Sequence, residues 1–323
     1  MRAPRVLVLL LGAVALAGVV AFAGAGRVDE ALVHVGWPGL VGVVFVRLGA
    51  VAVSGSAWYL IGAQLDGAAP WKFIWARYLR EASAEVLPVS QLGGIAAGVR
   101  ALSLAGMAPL PVSAALLADL LIEQLAKVPY VLAGAGLLLV AGEGAPVRLV
   151  AAALLPPLAL LLVAGVMRRR CPGWLERAAG YLVRRWPAFG AQPPQALRAL
   201  LGRLLHSERR GAAAAAHGAG WLLGALQTWL ACRLMGLAVS PAQALIVDSL
   251  FSGLRPVGFV VPAALGVQEA GYVLVCALVG IPAAPAVALS LLRRLSDLVL
   301  GAPALGVWPW IEGRRALARL VPK

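Results

Sequence analysis

Long apolar stretches, each about the length of a membrane-crossing helix, alternate with short polar connections along the chain. A helix needs about 20 consecutive apolar residues to cross the hydrocarbon core of a bilayer. We predict six full spans, at residues 6–26, 37–62, 111–141, 147–167, 212–236 and 283–310. The expected fold is an all-α, polytopic membrane bundle that forms a single domain over residues 1–323.

Two further apolar segments are interrupted by charges, prolines and glycines, and we predict that they are broken or re-entrant. The first covers residues 71–105 and begins with a charged, aromatic helix at 71–87 that is too polar to face lipid. We expect that helix to lie at the membrane interface or to re-enter the bundle. The second segment covers residues 241–281. Irregular backbone at membrane depth needs protein or a watery cavity around it, so both breaks point towards a site.

Composition supports a membrane protein and excludes several other classes. Hydrophobic residues make up 61% of the 323 positions, charged residues only 13%, and the mean hydropathy is +0.88. Soluble domains carry about 25% charged residues, and this chain has too few polar residues to cover a soluble surface. The composition therefore excludes a soluble enzyme, a disordered chain and a secreted disulfide scaffold.

The formal net charge of +14 describes the membrane topology rather than a nucleic-acid partner. The Lys and Arg residues of the chain cluster between the apolar runs. Cytoplasmic loops of membrane proteins are enriched in these two residues. We therefore place both termini and the basic loop 168–210 in the cytoplasm, and the connections 27–36 and 142–147 outside. Residues 21–23 resemble a signal-peptidase site, but the preceding apolar run is long for a signal, so we expect a retained anchor.

The basic loop 168–210 carries its own amphipathic pattern. One helical face is shared by Leu197, Leu200, Leu201, Leu204 and Leu205. This pattern predicts short helices that lie on the inner leaflet and are attracted to anionic lipid. The alternative is ordinary positive charge on the cytoplasmic side with no ligand.

The chain resembles itself at an offset of 174 positions. At this offset Pro88 falls on Pro262, Gly106 on Gly280, Pro111 on Pro285 and Glu123 on Asp297. The two units cover about 37–140 and 211–310, and the predicted topology makes them inverted. Inverted repeats with broken helices are a recurring plan of transporters, whose substrate site lies between the repeats near mid-membrane. The alternative is that the breaks only help helices to pack.

Seven ionisable residues lie inside the predicted spans: Arg47, Asp119, Glu123, Lys127, Arg293, Arg294 and Asp297. Each costs about 2.5–3.5 kcal/mol at the centre of a span, so they must face one another or a hydrated cavity. The spacing of four residues allows Glu123 to pair with Lys127, and Arg293 with Asp297. One interpretation is a set of ion pairs that join helices. The other is a polar cavity for a charged headgroup, or a proton-coupled carboxylate at Glu123 or Asp297.

The broken segments supply the remaining candidate substrate-binding residues: Arg80, Pro88, Gln91, Gly93, Gly94, Arg100, Arg255, Pro262, Gly266, Gln268 and Glu269. Arginine binds phosphate through two parallel hydrogen bonds. Arg100 and Arg255 are therefore the first headgroup contacts we expect, although both could equally be snorkelling anchors. Glu269 stands near the start of a helix, where we expect it to cap backbone N–H groups rather than do chemistry.

Signals for catalysis, metals and cofactors are weak. The three cysteines and three histidines have no metal-ligand or CxxC spacing. The chain contains no GxSxG, P-loop or HExxH motif. We therefore expect a protein that is not an enzyme and that holds no metal or cofactor.

Two short motifs resemble the signatures of the lysylphosphatidylglycerol synthase transmembrane, or flippase-like, family. The first is LPVSQLGG at residues 87–94, followed by Arg100 and Gly106. The second is Arg255-Pro256 followed by PAALGVQEAG at residues 262–271, whose wording looks most like the subgroup encoded with hopanoid biosynthesis genes. The resemblance covers roughly residues 5–310. Ile95 stands where an acidic residue usually follows the first Gly-Gly.

The resemblance implies an integral membrane protein of the bacterial inner membrane that handles lipid. In full-length synthases this region is associated with moving lipid between leaflets, while a separate soluble domain makes the aminoacyl lipid, an activity we do not expect from these residues. The leading hypothesis is a translocase, or transport component, for hopanoids or phospholipids. The alternatives are a non-transporting scaffold for lipid-synthesis enzymes and a lipid-headgroup transferase that uses Glu269 or Asp119.

Overall fold

The computed structural model describes residues 17–86, 90–141, 194–255 and 266–320, together with residue 14 and short pieces between 151 and 165. These residues are helical and contain no strand, so the all-α prediction is confirmed for them. The helices that build the fold are α1 (Ala25–Gly62), α2 (Pro70–Val86), α3 (Ser90–Leu104), α4 (Pro109–Val140), α5 (Pro194–Leu205), α6 (Arg210–Leu234), α7 (Pro241–Leu254), α8 (Val267–Ala277) and α9 (Ala283–Leu320).

The order of these helices follows the predicted order of spans and breaks. Four predicted spans coincide with α1, α4, α6 and α9, and the two broken segments become the helix pairs α2–α3 and α7–α8. In the predicted span 6–26, residues 17–23 are helical, and residues 6–13, 15 and 16 lie outside the described residues. Most of the predicted span 147–167 also lies outside them. By length and composition, α1 and α4 are suited to cross a membrane. The count of six spans stays a prediction.

Two predicted boundaries are wrong. The supposed connection 27–36 is helical up to Val35, and the chain departs from helical geometry only at Gly36, where φ is 59°. Glycine has no Cβ and adopts this left-handed conformation without strain. The polar residues before it are exposed on the helix and do not interrupt it. At the other end, α9 continues to Leu320, ten residues beyond the predicted limit at 310, because arginine is a good helix former.

Helices α1 and α6 pack side by side in opposite directions. Near the first half of α1, Gly39 packs against the side chain of Leu234, at the end of α6. Near the second half of α1, the Ser54 hydroxyl faces Gly220, towards the start of α6. Small residues at these crossings let the two backbones approach closely. The helix that opens one predicted unit is therefore antiparallel to the helix that opens the other.

The turns that follow α3 and α8 close in the same way at positions 174 apart. Gly106 and Gly280 have φ values of 93° and 76°. The amide of the next residue donates to a carbonyl five residues earlier, at 3.2 Å in the first turn and 3.0 Å in the second. Both are Schellman-type ends, which need a left-handed residue. The next helices begin at Pro109 and Ala283, again 174 apart.

The bundle carries apolar side chains outside and charged side chains inside. Large apolar residues exposed along one face of α1 are Val33, Trp37, Val41 and Phe45, and those along α4 are Leu125, Leu132 and Leu139. Asp119, Glu123 and Lys127, on α4 as well, are buried. Such an arrangement would be unstable in water and is typical of helices that face lipid.

The charged helix α2 does not lie on the surface of the bundle. Phe73 and Leu79 are completely buried, and Phe73 contacts the ring of Trp58 edge to face at 5.5 Å. Its arginines Arg77 and Arg80 are also buried. The charges of this helix find their partners inside the protein. Of the two predicted positions, one on the outer surface of the bundle is therefore excluded, and the re-entrant one stays a prediction.

The leucine face of α5 packs on protein rather than on the membrane. Leu197, Leu201 and Leu204 are buried in the same hydrophobic cluster as Leu116 of α4. The predicted shared face is confirmed, but the expectation that it lies on the inner leaflet is wrong, because an apolar surface on α4 covers it. Residues 168–193 of the basic loop lie outside the described residues.

Candidate functional site

A buried cluster of four charged side chains joins α2 to α4. Arg77 grips Glu123 with both guanidinium nitrogens, at 2.9 and 3.1 Å. Arg80 bridges the two acids, at 3.2 Å from Glu123 and 3.4 Å from Asp119. Two-pronged arginine–carboxylate bonds are strong and directional, which compensates for removing these charges from water.

The cluster continues across α2 to α1 and α9. Arg77 donates to Glu81 at 2.6 Å, and the other oxygen of Glu81 accepts from Arg47 at 2.6 Å. The Nε atom of Arg47 then donates to Asp297 at 2.6 Å. The side chains of Arg47, Glu81 and Asp297 keep between 16% and 19% of their area exposed. This end of the network is therefore closer to the surface than the Arg77–Glu123 end.

The network reaches α6 through a histidine. Nε2 of His217 lies 2.9 Å from Asp119, and both side chains are almost completely buried. Together these contacts form one continuous chain of polar groups, here called the charge network: His217, Asp119, Arg80, Glu123, Arg77, Glu81, Arg47 and Asp297. It links α6, α4, α2, α1 and α9. If α2 moves relative to its neighbours, its charged side chains must therefore change their ion-pair partners.

The exposed end of the charge network lines a cleft between α1, α2 and α9, here called the groove. Its walls are formed by Arg47, Val51, Tyr78, Glu81, Ala82, Glu85, Asp297, Leu300 and Gly301. The Tyr78 hydroxyl donates to the backbone carbonyl of Leu300 and closes one side. Arg255 forms an ion pair with Glu85 and brings a residue of the second broken segment to the groove. Charged groups of both signs thus line the groove, where they are paired with one another.

A second buried polar cluster lies around Asp248 on α7. Its carboxylate accepts from the Tyr130 hydroxyl at 2.8 Å and from the Thr228 hydroxyl at 3.1 Å. Arg293 of α9 completes the cluster as its ion-pair partner. These contacts hold α4, α6, α7 and α9 together inside the bundle.

Glu269 forms a third cluster at the start of α8. Its side chain accepts from the backbone N–H of Gly266 at 2.8 Å, which is the capping contact predicted from the sequence. It also binds Arg294 at 2.9 Å. Gln268 donates to the Ser290 hydroxyl at 3.2 Å beside it. The contacts with Arg294 and Ser290 fasten α8 to α9.

The predictions that Glu123 pairs with Lys127, and Arg293 with Asp297, are wrong. Glu123 binds the arginines of α2 rather than Lys127. Arg293 binds Asp248 and Asp297 binds Arg47. A spacing of four residues allows a contact, but arginines from neighbouring helices reach these carboxylates with better hydrogen-bond geometry.

The structure brings some of the predicted site residues together and leaves others apart. Arg47, Arg80, Asp119, Glu123 and Asp297 belong to the charge network, and Arg255 reaches it through Glu85. Gly266, Gln268, Glu269 and Arg293 lie in the other two clusters. Pro88 and Pro262 lie outside the described residues.

The glycine motif serves packing where the structure describes it. Gln91 and Gly93 stand in the first turn of α3, and Arg100 lies half-buried towards its end. A Cβ atom at Gly94 would lie only 2.4 Å from the backbone oxygen of Arg80. The glycine therefore allows α3 to approach α2 and helps to position an arginine of the charge network.

Sequence reasoning missed five residues that the structure places in the clusters: Arg77, Glu81, Glu85, His217 and Asp248. Arg77, Glu81 and Glu85 recur every four residues, which could have indicated one polar helix face. Asp248 is the single charged residue of an otherwise apolar helix, a recognised sign of function or pairing in membranes. Nothing around His217 in the sequence distinguishes it.

Comparison with known proteins identifies a family but no individual relative. A family model described as "Lysylphosphatidylglycerol synthase TM region" matches residues 6–304, which include every helix from α1 to the middle of α9. No curated protein and no solved structure matches the chain. Among the described residues, no group of three His, Cys, Asp or Glu side chains could hold a metal ion.

Proposed function

Because the chain belongs to the family of lysylphosphatidylglycerol synthase TM regions, we propose that it moves lipid across a membrane as a flippase-like translocase. The observation that carries the proposal is the charge network, enclosed by helices with apolar outer faces and open to a groove at Arg47, Glu81 and Asp297. Intramembrane charges are costly to insert and commonly mark the path of a polar substrate.

In this proposal the groove carries the lipid headgroup while the acyl chains stay in the bilayer. The headgroup enters between α2 and α9, where the Tyr78–Leu300 contact has to open. Arg47, Glu81 and Asp297 then exchange bonds with one another for bonds with the headgroup. This exchange lowers the energy of a polar group at membrane depth, because hydrogen bonds to protein replace its lost hydration.

We propose that two inverted repeats give the groove access to both sides of the membrane. The antiparallel packing of α1 and α6 supports this, as do the matching turns at Gly106 and Gly280. The helix pairs α2–α3 and α7–α8 are then the re-entrant parts of the two units. Transporters of this plan alternate access by rocking one unit against the other.

The proposed cargo is a phospholipid or a hopanoid with a polar headgroup. The proposed location is the bacterial inner membrane, with both termini in the cytoplasm. The buried acids of the charge network are each bound to a cation or to His217, and the proposal assigns them to movement rather than catalysis. The protein is proposed to act without a cofactor.

The test is lipid movement by the purified protein in sealed vesicles. Fluorescent phospholipid in the inner leaflet is measured by its accessibility to a membrane-impermeant quencher. Wild-type protein should accelerate exchange between leaflets above that in protein-free vesicles. Asp297→Asn should slow this movement by about tenfold, because the headgroup loses a charged hydrogen-bond partner in the groove, a loss of about 1.5–3 kcal/mol.

The matched control is Asp66→Asn, which makes the same chemical change at an exposed position between α1 and α2. This variant should move lipid at the wild-type rate. Equal rates for Asp297→Asn and Asp66→Asn would exclude a role for the groove. A wild-type rate no faster than that in protein-free vesicles, for both phospholipid and hopanoid probes, would exclude the translocase.

A further inference from the structure

Lys127 is a buried residue whose ammonium group makes no hydrogen bond or ion pair with the described part of the chain. Its residue is only 6% exposed, on the inner side of α4. Its Nζ atom lies 4.8 Å from the centre of the Trp221 ring on α6. The neighbouring acid Glu123, one turn earlier, is occupied by Arg77 and Arg80.

Trp221 supplies a second donor without an acceptor at the same place. Its indole N–H is buried, and none of the described residues accepts a hydrogen bond from it. The ring is held by Tyr130, which stacks on it at 6.0 Å and is itself anchored to Asp248. The position of the indole is therefore fixed by packing and not by its own hydrogen bond.

The Lys127 ammonium and the Trp221 indole N–H are neighbouring donors without an acceptor. An acceptor that carries negative charge would suit both. The ring face of Trp221 stabilises the ammonium through its quadrupole, but it accepts no conventional hydrogen bond from the three N–H groups of Lys127. An unpaired charge in a membrane interior is strongly unfavourable. An anion with two free oxygens would satisfy Lys127 with one and the indole N–H of Trp221 with the other.

We propose that Lys127 and Trp221 form the binding site for the phosphate group of a substrate. A phosphodiester has one negative charge and two non-bridging oxygens, which matches one ammonium and one neutral N–H donor. A lipid headgroup and free phosphate share this chemistry. The inference rests on the proposed function, because it names the chemical class of the cargo, and it favours phospholipid over an uncharged hopanoid.

The experiment compares two lipids of which only one carries a phosphodiester headgroup. Purified protein is incubated with equal amounts of phosphatidylglycerol and diacylglycerol of the same acyl chains. Native mass spectrometry then gives the ratio of the two lipids retained. Wild-type protein should favour phosphatidylglycerol, and Lys127→Gln should lower its retention ratio by about tenfold, because a charged hydrogen bond is lost.

Further variants separate recognition from folding. Lys127→Arg keeps the charge and should retain most of the preference, and Trp221→Phe keeps the ring but should lose part of it. The matched control is Lys72→Gln, since the ammonium of Lys72 binds only the loop carbonyls of Gly67 and Ala105. A folded Lys127→Gln protein with the wild-type retention ratio would overturn the proposal.

Inorganic phosphate distinguishes the two sources of the anion. Displacement of phosphatidylglycerol from wild-type protein, but not from Lys127→Gln, would show a phosphate site that also takes the free ion. Retention in the presence of phosphate would show a site specific for the lipid-borne group. A phosphatidylglycerol preference without lipid movement would refute the translocase alone, whereas movement with an unchanged ratio in Lys127→Gln would refute the phosphate site alone.

Discussion

At the residue scale, the interior of this protein is organised by charged side chains that cannot reach water and must pair with one another. Asp119 and Glu269 are completely buried, and each binds more than one donor. In a lipid-facing bundle a charged side chain cannot reach water without crossing an apolar surface. Each carboxylate is therefore satisfied by arginine, histidine, hydroxyl or backbone N–H groups from neighbouring helices, and the pairs determine how those helices pack.

The Asp248 cluster gives a stability prediction at this scale. Asp248→Asn should lower the free energy of unfolding by about 3–5 kcal/mol, because Arg293 keeps its charge in the interior without its carboxylate partner. Tyr130→Phe should cost less, about 1.5–3 kcal/mol, since a single hydrogen bond to the carboxylate is lost and no charge is left unpaired. Thermal unfolding in detergent, followed by tryptophan fluorescence, measures both.

The control for these variants is Asp29→Asn, which removes a carboxylate at an exposed position of α1. Its transition should coincide with that of the wild-type protein. A loss of stability in Tyr130→Phe as large as that in Asp248→Asn would contradict the assignment of Asp248 as the charge partner of Arg293.

The sequence indicated which charged residues need a partner inside the protein. It predicted less well which residues those partners are. The cap at Glu269 was predictable because its acceptor position and the helix start are local to the chain. The partners of Glu123 and Asp297 were not predictable, because they come from α2 and α1 and depend on how distant helices pack. Spacing within one helix carries no information on that geometry.

At the element scale, apolar length predicted the long helices, and glycine decided how they pack. The segments that became α1, α4, α6 and α9 were recognisable because each is a long apolar run. The burial of α2 was not, since a charged amphipathic helix has the same sequence pattern on a membrane surface as inside a polar bundle. What distinguishes the two is the set of acids on α4, which the sequence places far away.

The crossing of α2 and α3 gives a prediction about packing. Gly94→Ala should lower the free energy of unfolding by about 1–3 kcal/mol, because its Cβ would lie 2.4 Å from the backbone oxygen of Arg80 and 3.0 Å from the Cβ atom of Ala84. The helices would have to separate, which also displaces Arg80 from Glu123. Thermal unfolding in detergent measures the change.

Gly218→Ala is the matched control, since a Cβ there meets nothing within 4 Å. Alanine favours helix over glycine by up to about 1 kcal/mol, so this variant should be neutral or slightly more stable. Equal transitions for Gly94→Ala and Gly218→Ala would mean that α2 and α3 are not in the close contact described.

At the scale of the whole molecule, apolar residues face outwards and a continuous polar chain runs through the interior. The composition predicted a membrane bundle, and the cost of intramembrane charge predicted that those charges face inwards. The sequence could not show that they form one network ending in a groove between α1, α2 and α9, because that depends on the packing of helices far apart in the chain.

The central claim is that lipid headgroups pass through the groove when α2 separates from α9. The direct test uses Tyr78→Cys and Leu300→Cys, which stand on opposite sides of the groove, in a protein whose native cysteines, Cys171, Cys232 and Cys276, are replaced. A short bifunctional thiol reagent joins the two new cysteines in vesicles. Each single-cysteine variant treated with the same reagent is the control.

The account predicts that cross-linking reduces lipid movement to the rate of protein-free vesicles, while both single-cysteine variants keep their activity after treatment. Cross-linked protein that moves lipid as fast as the untreated double variant would show that α2 and α9 need not separate. That result would contradict the passage of headgroups through the groove.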